Sequence, residues 1–226
     1  MQPNNLRNPP IIRGADSVLA THSVLRNTYL LLSLTLLFSA LCAGLSMAAN
    51  APYPGIIVTL VGFYGLMFLV YKTRDSVWGL VSTFAFTGFT GYTLGPILNS
   101  VMAGTHNGGQ IIMTALGGTG LIFFALSGYV LTTRKDMSFM SGGLVIGTVI
   151  GLLMMVGSFF LKIPGFYLAV SGFFMLLSSG WILWQTSQII HGGERNYIIA
   201  TIGLYVQLYN IFVSLLSILS AFSSRD

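Results

Sequence analysis

The chain has 226 residues, of which 54% are hydrophobic and only 7% are charged, and its formal net charge is +5. Soluble domains carry roughly 25% charged residues, so this composition excludes a soluble globular protein and predicts one that is embedded in a membrane. The basic residues are spread over separate segments that border apolar runs, which favours lipid headgroups over nucleic acid as their partner.

Seven apolar segments follow one another along the chain, separated by short polar breaks. Each has roughly the 17–25 residues that an α-helix needs to cross the hydrocarbon core of a bilayer. Their hydrophobicity is continuous rather than alternating, which excludes a β-barrel. We therefore predict an all-α integral membrane protein, a seven-transmembrane helical bundle. The predicted spans are residues 28–49, 54–71, 77–98, 111–132, 140–161, 165–190 and 197–222.

The segments outside the spans are short. Residues 1–27 are polar and contain three prolines, so we predict a flexible N-terminal tail in the cytoplasm. Within its second half, the helical spacing of Val18, Leu25 and Tyr29 weakly indicates a short helix lying on the membrane surface. Residues 28–222 form the transmembrane domain, and residues 223–226 form a short C-terminal tail. No loop between the spans is long enough to hold a soluble domain.

The basic residues also predict the orientation, because short loops that carry lysine and arginine stay on the cytoplasmic side. With the N-terminus inside, eight basic residues lie on the cytoplasmic side and two lie on the other side. The cytoplasmic set is Arg7, Arg13, Arg26, Lys72, Arg74, Arg134, Lys135 and Arg195, and the opposite pair is Lys162 and Arg225. We therefore expect a cytoplasmic N-terminus and an external C-terminus.

Ionisable residues are absent from the deep parts of the predicted spans. All five acidic residues, all ten basic residues and all three histidines fall in tails or loops. Pumps, proton relays and retinal pigments depend on intramembrane ionisable groups, and intramembrane proteases need a positioned acid, base, nucleophile or metal. We therefore predict no enzymatic activity, no catalytic or metal site and no cofactor.

Neutral polar residues instead form stripes on the last two spans. The stripe on the seventh span consists of Gly203, Gln207, Asn210, Ser214 and Ser217, and the stripe on the sixth consists of Ser171, Ser178 and Gln185. Each spacing keeps its residues on one helix face. An amide alone in hydrocarbon costs a few kcal/mol, so both stripes should face protein or water. Two interpretations stay open, namely hydrogen-bonded helix contacts and the lining of a vestibule or regulated pore.

Glycines recur every four residues in two of the spans. The sets are Gly143, Gly147 and Gly151 in the fifth span, and Gly91 and Gly95 in the third. Small residues at this spacing allow two helix backbones to approach closely. We interpret both sets as helix-packing faces.

Several stretches resemble the Bax-inhibitor (TMBIM) family and, within it, the bacterial YccA-like branch. They are WILWQTSQIIHGGERNYIIATIGLYVQLYNIFVSLLSIL in the last two spans, RNTY at the start of the first span and GYTLGPIL in the third. The resemblance extends over nearly the whole chain. It implies a bacterial inner-membrane protein that binds and modulates the membrane AAA+ protease FtsH without catalytic activity of its own.

The wider family is described as containing pH-sensitive calcium leaks, in which one aspartate on the sixth helix and one on the seventh share protons. By resemblance, Gln185 and Gln207 stand at these two positions in this chain. Two neighbouring carboxyl groups cannot both ionise easily and so respond to pH, whereas glutamine does not titrate. A leak for calcium or another cation, with Gln185, Gln207 and Asn210 lining or plugging its path, is the alternative function. A small-solute transporter is disfavoured, because broken helices at matching positions are lacking and no internal repeat supports an inverted-repeat architecture.

Overall fold

The computed structural model of the chain describes residues 12–160 and 165–223, with residues 12–21 and 159 described as backbone only. Within these ranges the protein consists of seven α-helices and one short 3₁₀ turn, which confirms the predicted all-α fold. The helices are α1 (Ile12–Ala48), α2 (Ile56–Thr73), α3 (Val77–Gly104), α4 (Gly108–Thr133), α5 (Ser141–Phe160), α6 (Phe166–Ile190) and α7 (Tyr197–Ser223). The first part of the predicted N-terminal tail, Lys162 and residues 224–226 lie outside the described ranges.

Six of the described helices are long and apolar enough to cross a membrane, and α3 is the one that is not among them. This helix has 28 residues, which is ample length, but threonines and glycines reduce its hydropathy. Thr83, Thr87 and Thr90 are all buried, so the polar face of α3 lies against other helices rather than lipid. That α3 forms a seventh crossing stays a prediction.

The first helix begins earlier than the predicted span. It begins at Ile12 rather than at residue 28, and Leu25 already packs against the main hydrophobic core. The last proline of this segment is Pro10, and no later proline interrupts the helix. Residues 12–27 therefore continue the first span as a helix, although they were predicted to belong to a flexible tail.

The seventh helix lies at the centre of the bundle. It packs against α6, α4 and α1, and it contributes fully buried side chains such as Leu204, Tyr205 and Ile211. The third helix packs against α1 and α2, whereas α5 packs mainly against α6. In the described part of the chain the backbones of α1 and α4 do not come close to each other, although both helices contact α7 and the rings of Tyr29 and Phe123 meet between them. A groove with α7 as its floor therefore lies between them.

One end of the bundle, which we name the basic end, holds the loops α2–α3, α4–α5 and α6–α7 together with Arg26 of α1. Its basic residues are Arg26, Lys72, Arg74, Arg134, Lys135 and Arg195. Hydrogen bonds join its loops: Asn196 Nδ2 donates to the Arg74 carbonyl oxygen at 3.2 Å and to Asp75 Oδ1 at 2.9 Å, and His191 Nε2 lies 3.1 Å from the Arg134 carbonyl oxygen. These basic residues thus share one end, and the side of the membrane on which that end lies stays a prediction.

The turn between α6 and α7 is set by its own residues. Gly192 adopts a left-handed conformation with φ +74°, and the N–H of Gly193 donates to the Gln188 carbonyl at 2.9 Å. This is the Schellman arrangement, for which glycine is the preferred residue. Asn196 then caps α7, because its Oδ1 accepts hydrogen bonds from the backbone N–H groups of Ile198 and Ile199 at 3.0 and 3.2 Å.

Replacing Asn196 with alanine is expected to lower the free energy of unfolding by about 1 kcal/mol, because the α7 cap is lost. The change also removes the bonds to the α2–α3 loop. Thermal unfolding of the purified protein in detergent measures the effect. Asn196→Ser is the control, since serine keeps a capping oxygen, has no amide donor for that loop and places no second carboxylate beside Asp75. Its unfolding temperature should lie between those of the wild type and the alanine variant. An alanine variant that unfolds at the wild-type temperature would contradict the prediction.

Candidate functional site

The predicted polar stripes of α6 and α7 meet near the basic end. A Cβ atom placed on Gly203 would lie 2.8 Å from Gln185 Nε2 and 3.0 Å from its Oε1, so the Gln185 amide rests directly on the α7 backbone. Gln207 follows Gly203 by one turn on the same face of α7. In the described residues no hydrogen bond joins Gln185 to Gln207, and Gln185 Oε1 is buried without a partner. The two amides therefore lie on adjacent turns without pairing.

A cavity of about 200 Å³ lies beside Gln185 at the basic end. Its lining consists of Tyr71, Trp184, Gln185, Gln188, Ile189, Gly193, Glu194, Ile199, Ala200 and Gly203. Trp184 Nε1 and Gln185 Oε1 are both buried and, among the described residues, have no hydrogen-bond partner. Buried polar atoms are normally paired with protein or with water. Both unpaired atoms belong to residues that line the cavity, and the side chains of Gln188 and Glu194 also line it.

The other predicted polar residues lie further along the α6–α7 contact. Ser178 and Ser214 are buried, with 1% and 6% of their surfaces exposed, and Asn210 is half-buried. None of these three residues lines the cavity beside Gln185, and Gln207 does not line it either. At the far end of the contact, Tyr167 Oη and Ser217 Oγ lie 2.9 Å apart. Of the five predicted residues, the structure thus brings only Gln185 to the cavity.

The glycines of α3 lie where two helix backbones come closest. A Cβ on Gly91 would overlap the backbone carbonyl oxygen of Ser39, and a Cβ on Gly95 would overlap the side chain of Ser46. Backbone cannot move aside as the end of a flexible side chain can. The position of Gly91 therefore has room for no residue other than glycine at the present separation of α1 and α3.

The glycines of α5 lie in more open surroundings. A Cβ on Gly147 would lie 2.8 Å from Leu177 Cδ1, and a Cβ on Gly151 would lie 3.1 Å from the rings of Phe173 and Phe174. No atom would lie within 4 Å of a Cβ on Gly143. Two of the three glycines thus face side chains of α6, and Gly143 faces none.

Pro96 leaves one backbone carbonyl of α3 without its helical partner, because proline has no N–H to donate to Tyr92. Ser46 of α1 supplies the missing bond, its Oγ donating to the Tyr92 carbonyl oxygen at 2.8 Å. In a membrane such a carbonyl must be satisfied within the protein. Ser46 thereby compensates for the proline, and α3 continues to Gly104, beyond its predicted end at Leu98.

A buried group of hydroxyls, which we name the hydroxyl cluster, joins α1, α3 and α7, and it was not predicted from the sequence. It consists of Ser39, Thr90 and Tyr205. Tyr205 is 2% exposed, and its Oη lies 2.7 Å from both Ser39 Oγ and Thr90 Oγ1. The signal was present in the sequence, since Thr83, Thr87 and Thr90 recur at spacings of four and three and so share a helix face.

One carboxyl group outside the spans has a shifted pKa. The hydroxyl of Ser138 and, secondarily, its backbone N–H donate hydrogen bonds to Asp136 Oδ1, and these bonds lower the pKa of Asp136. They also begin the 3₁₀ turn at Ser138–Met140, which leads into α5.

In the described part of the chain no group of three or more His, Cys, Asp or Glu side chains is placed to hold a metal ion.

The helices and their contacts define a multi-pass α-helical membrane protein whose buried polar groups, in the described spans, are neutral hydroxyls, amides and an indole N–H. The chain belongs to the Bax-inhibitor family, because residues 21–224 match the family described as inhibitor of apoptosis-promoting Bax1. The resemblance predicted from the sequence is thereby confirmed.

Three relatives support the assignment. The modulator of FtsH protease YccA of Escherichia coli is 61% identical over 210 residues, which are 93% of this chain and 94% of that protein. An equally similar protein of a second Escherichia coli strain is named inner membrane protein YccA. An uncharacterized protein of Pseudomonas aeruginosa is 58% identical over 203 residues, covering 90% of this chain and 91% of that protein. The chain is thus a multi-pass protein of the bacterial inner membrane, as predicted.

Proposed function

We propose that the protein is a non-enzymatic regulator that binds the membrane protease FtsH and modulates its action on other membrane proteins. The observation that carries the proposal is the 61% identity, over 93% of the chain, to a protein named as a modulator of that protease. Charge placement supports it: the described charged side chains lie in loops or near the ends of the spans, where they cannot serve intramembrane acid–base catalysis.

The outer face of α5 is the surface that we assign to the partner. This helix packs mainly against α6, and Ile146 and Leu153 expose 63% and 67% of their surfaces. Gly143 is exposed on the same helix and has open space around it. Transmembrane helices associate through small residues that admit a second backbone. A helix of the protease can therefore approach α5 closely at Gly143.

Co-reconstitution with FtsH in proteoliposomes tests the proposal. We expect the protein to co-purify with the protease and to slow degradation of a membrane substrate, relative to an unrelated multi-pass protein. Gly143→Leu should reduce co-purification several-fold, whereas Gly117→Leu, at an exposed and open position on α4, should not. No co-purification together with an unchanged degradation rate would overturn the proposal. Equal effects of the two leucine variants would overturn only the assignment of the α5 face.

A second candidate is a cation leak, and the cavity beside Gln185 favours it. An amide oxygen can accept a hydrogen bond from water or contribute to a cation site. Gln185 Oε1 is buried at this cavity, and among the described residues it has no competing partner. In this function the path would lead from the basic end along the α6–α7 contact past Gln207.

Gln185→Asp combined with Gln207→Asp is expected to make any cation flux depend on pH, because two neighbouring carboxyl groups cannot both ionise easily. Calcium and potassium flux through the purified protein in liposomes, measured at several pH values, tests this. The matched control is Gln185→Asn with Gln207→Asn, because asparagine has the same side-chain length as aspartate but does not titrate. A flux curve of the aspartate variant that is flat across the carboxylate range refutes the expectation.

A further inference from the structure

The groove between α1 and α4 contains two adjoining compartments. The outer one, of about 620 Å³, lies towards the basic end and is lined by His22, Arg26 and Leu131, among others. The inner one, of about 460 Å³, lies deeper between the helices. Tyr29 lines both compartments, so it marks their junction. The groove therefore leads from a positively charged opening into the interior of the spans.

The inner compartment is mainly apolar, although Ser39, Thr119 and Tyr205 also line it, and it lies between helices long enough to span a membrane. Leu36 of α1, Leu116 and Phe124 of α4 and Phe212 of α7 contribute to its lining. Gly120 of α4 also lines it, and no atom would lie within 4 Å of a Cβ on that glycine. Protein interiors are close-packed, so a space of this size between spanning helices is filled from the surrounding bilayer. Mainly apolar walls between such helices suit an acyl chain.

The outer compartment has the charge that an anionic headgroup requires. Arg26 is exposed and forms no ion pair in the described residues. A guanidinium group binds phosphate through a planar set of donors, and basic residues beside a span attract anionic lipids. His22 and Ser23 line the same opening and add polar atoms around Arg26.

Tyr29 provides a hydrogen-bond donor between the two compartments. Its ring lies 5.9 Å from the ring of Phe123, and its Oη is buried with no hydrogen-bond partner among the described residues. An unpaired buried hydroxyl is costly unless a ligand or water pairs with it. The ester oxygens of a phospholipid lie between headgroup and acyl chain, at the corresponding position.

We propose that the groove binds one anionic phospholipid of the leaflet at the basic end. Its phosphate lies at Arg26, its ester region at Tyr29, and one acyl chain in the inner compartment. A transmembrane helix of a partner would bring neither the phosphate for Arg26 nor the ester oxygens for Tyr29, because a helix satisfies its own backbone hydrogen bonds.

Native mass spectrometry of the full chain in detergent tests the site, with phosphatidylglycerol and phosphatidylcholine of identical acyl chains as probes. We expect one phosphatidylglycerol to be retained and to raise the unfolding temperature, and phosphatidylcholine to bind several-fold more weakly. Arg26→Gln should weaken phosphatidylglycerol binding about five-fold and remove the preference between headgroups. Arg26→Lys, which keeps the charge, should retain the preference and separates a loss of charge from a loss of folding.

Gly120→Leu should reduce retention of both lipids by filling the inner compartment, whereas Gly65→Leu, at an open position on the exposed face of α2, should not. Equal retention of the two lipids by the unmodified protein would overturn the proposal. Unchanged lipid retention in Gly120→Leu would also overturn it, because the acyl chain would then lie outside the inner compartment. Equal thermal protection by glycerol phosphate alone would show headgroup binding without a lipid and would overturn the proposal. A site-specific cross-link from position 120 to a partner helix would overturn it as well, because the occupant would then be a protein.

Discussion

Gly91→Ala is expected to lower the free energy of unfolding by about 1–3 kcal/mol, the usual cost of forcing extra atoms into a packed interior. The added methyl group would overlap the Ser39 carbonyl oxygen, so α1 and α3 must separate. Separation also lengthens the bonds of Ser39 and Ser46 that join α1 to its neighbours. A single methyl group thus acts on several contacts at once.

The measurement is thermal unfolding in detergent, with Gly117→Ala as the matched control. Both glycines lie inside helices, so alanine raises the helix propensity in both variants. Only Gly91 has neighbouring backbone in the way, since no atom would lie within 4 Å of a Cβ on Gly117. Equal unfolding temperatures for the two variants would show that the α1–α3 contact is looser than the structure has it.

Tyr205→Phe is expected to lower the free energy of unfolding by about 1–2 kcal/mol, because it removes the hydroxyl that joins three helices. Thr90 keeps bonds to its own helix backbone. Ser39 Oγ has no other hydrogen-bond partner in the described residues, so it is left buried and unpaired. The expected cost is therefore mainly that of the orphaned serine.

Tyr209→Phe is the comparison for this change. The Tyr209 hydroxyl lies one turn further along α7 than that of Tyr205. It lies 3.4 Å from Thr93 Oγ1, a longer distance than the 2.7 Å contacts of Tyr205. Its loss should cost clearly less than the loss of the Tyr205 hydroxyl. The double variant Ser39→Ala with Tyr205→Phe should be less destabilised than the sum of its single changes, and strict additivity would rule out a direct coupling.

The helices themselves were largely predictable from the sequence. The sixth and seventh spans were predicted at 165–190 and 197–222, and α6 and α7 are Phe166–Ile190 and Tyr197–Ser223. These agree because long apolar runs end at glycine, proline and charged residues, which are local signals. The start of α1 at Ile12 was missed, although the spacing of Val18, Leu25 and Tyr29 indicated a short surface helix. Residues 12–27 are polar, and hydropathy alone does not distinguish a polar helix that continues a span from a flexible tail.

The partners of each helix face were not predictable in the same way. Periodicity shows that Gly203 and Gln207 share a face, but it does not show how far α6 and α7 are displaced along each other. That displacement places Gln185 against Gly203 rather than in a bond with Gln207. The hydroxyl cluster was missed because Tyr205 lies on a different face of α7 from the glutamine, and its partners come from helices distant in sequence.

In the described part of the chain the first helix packs against α3 and not against α2, the helix that follows it in the chain. In the described residues α1 and α2 do not pack against each other, although both pack against α3. In the folded protein the first two helices are therefore held together through α3 and not by a contact of their own. The contact between Gly91 and Ser39 needs residues of α3, so we expect the first three helices to associate only once α3 has been translated.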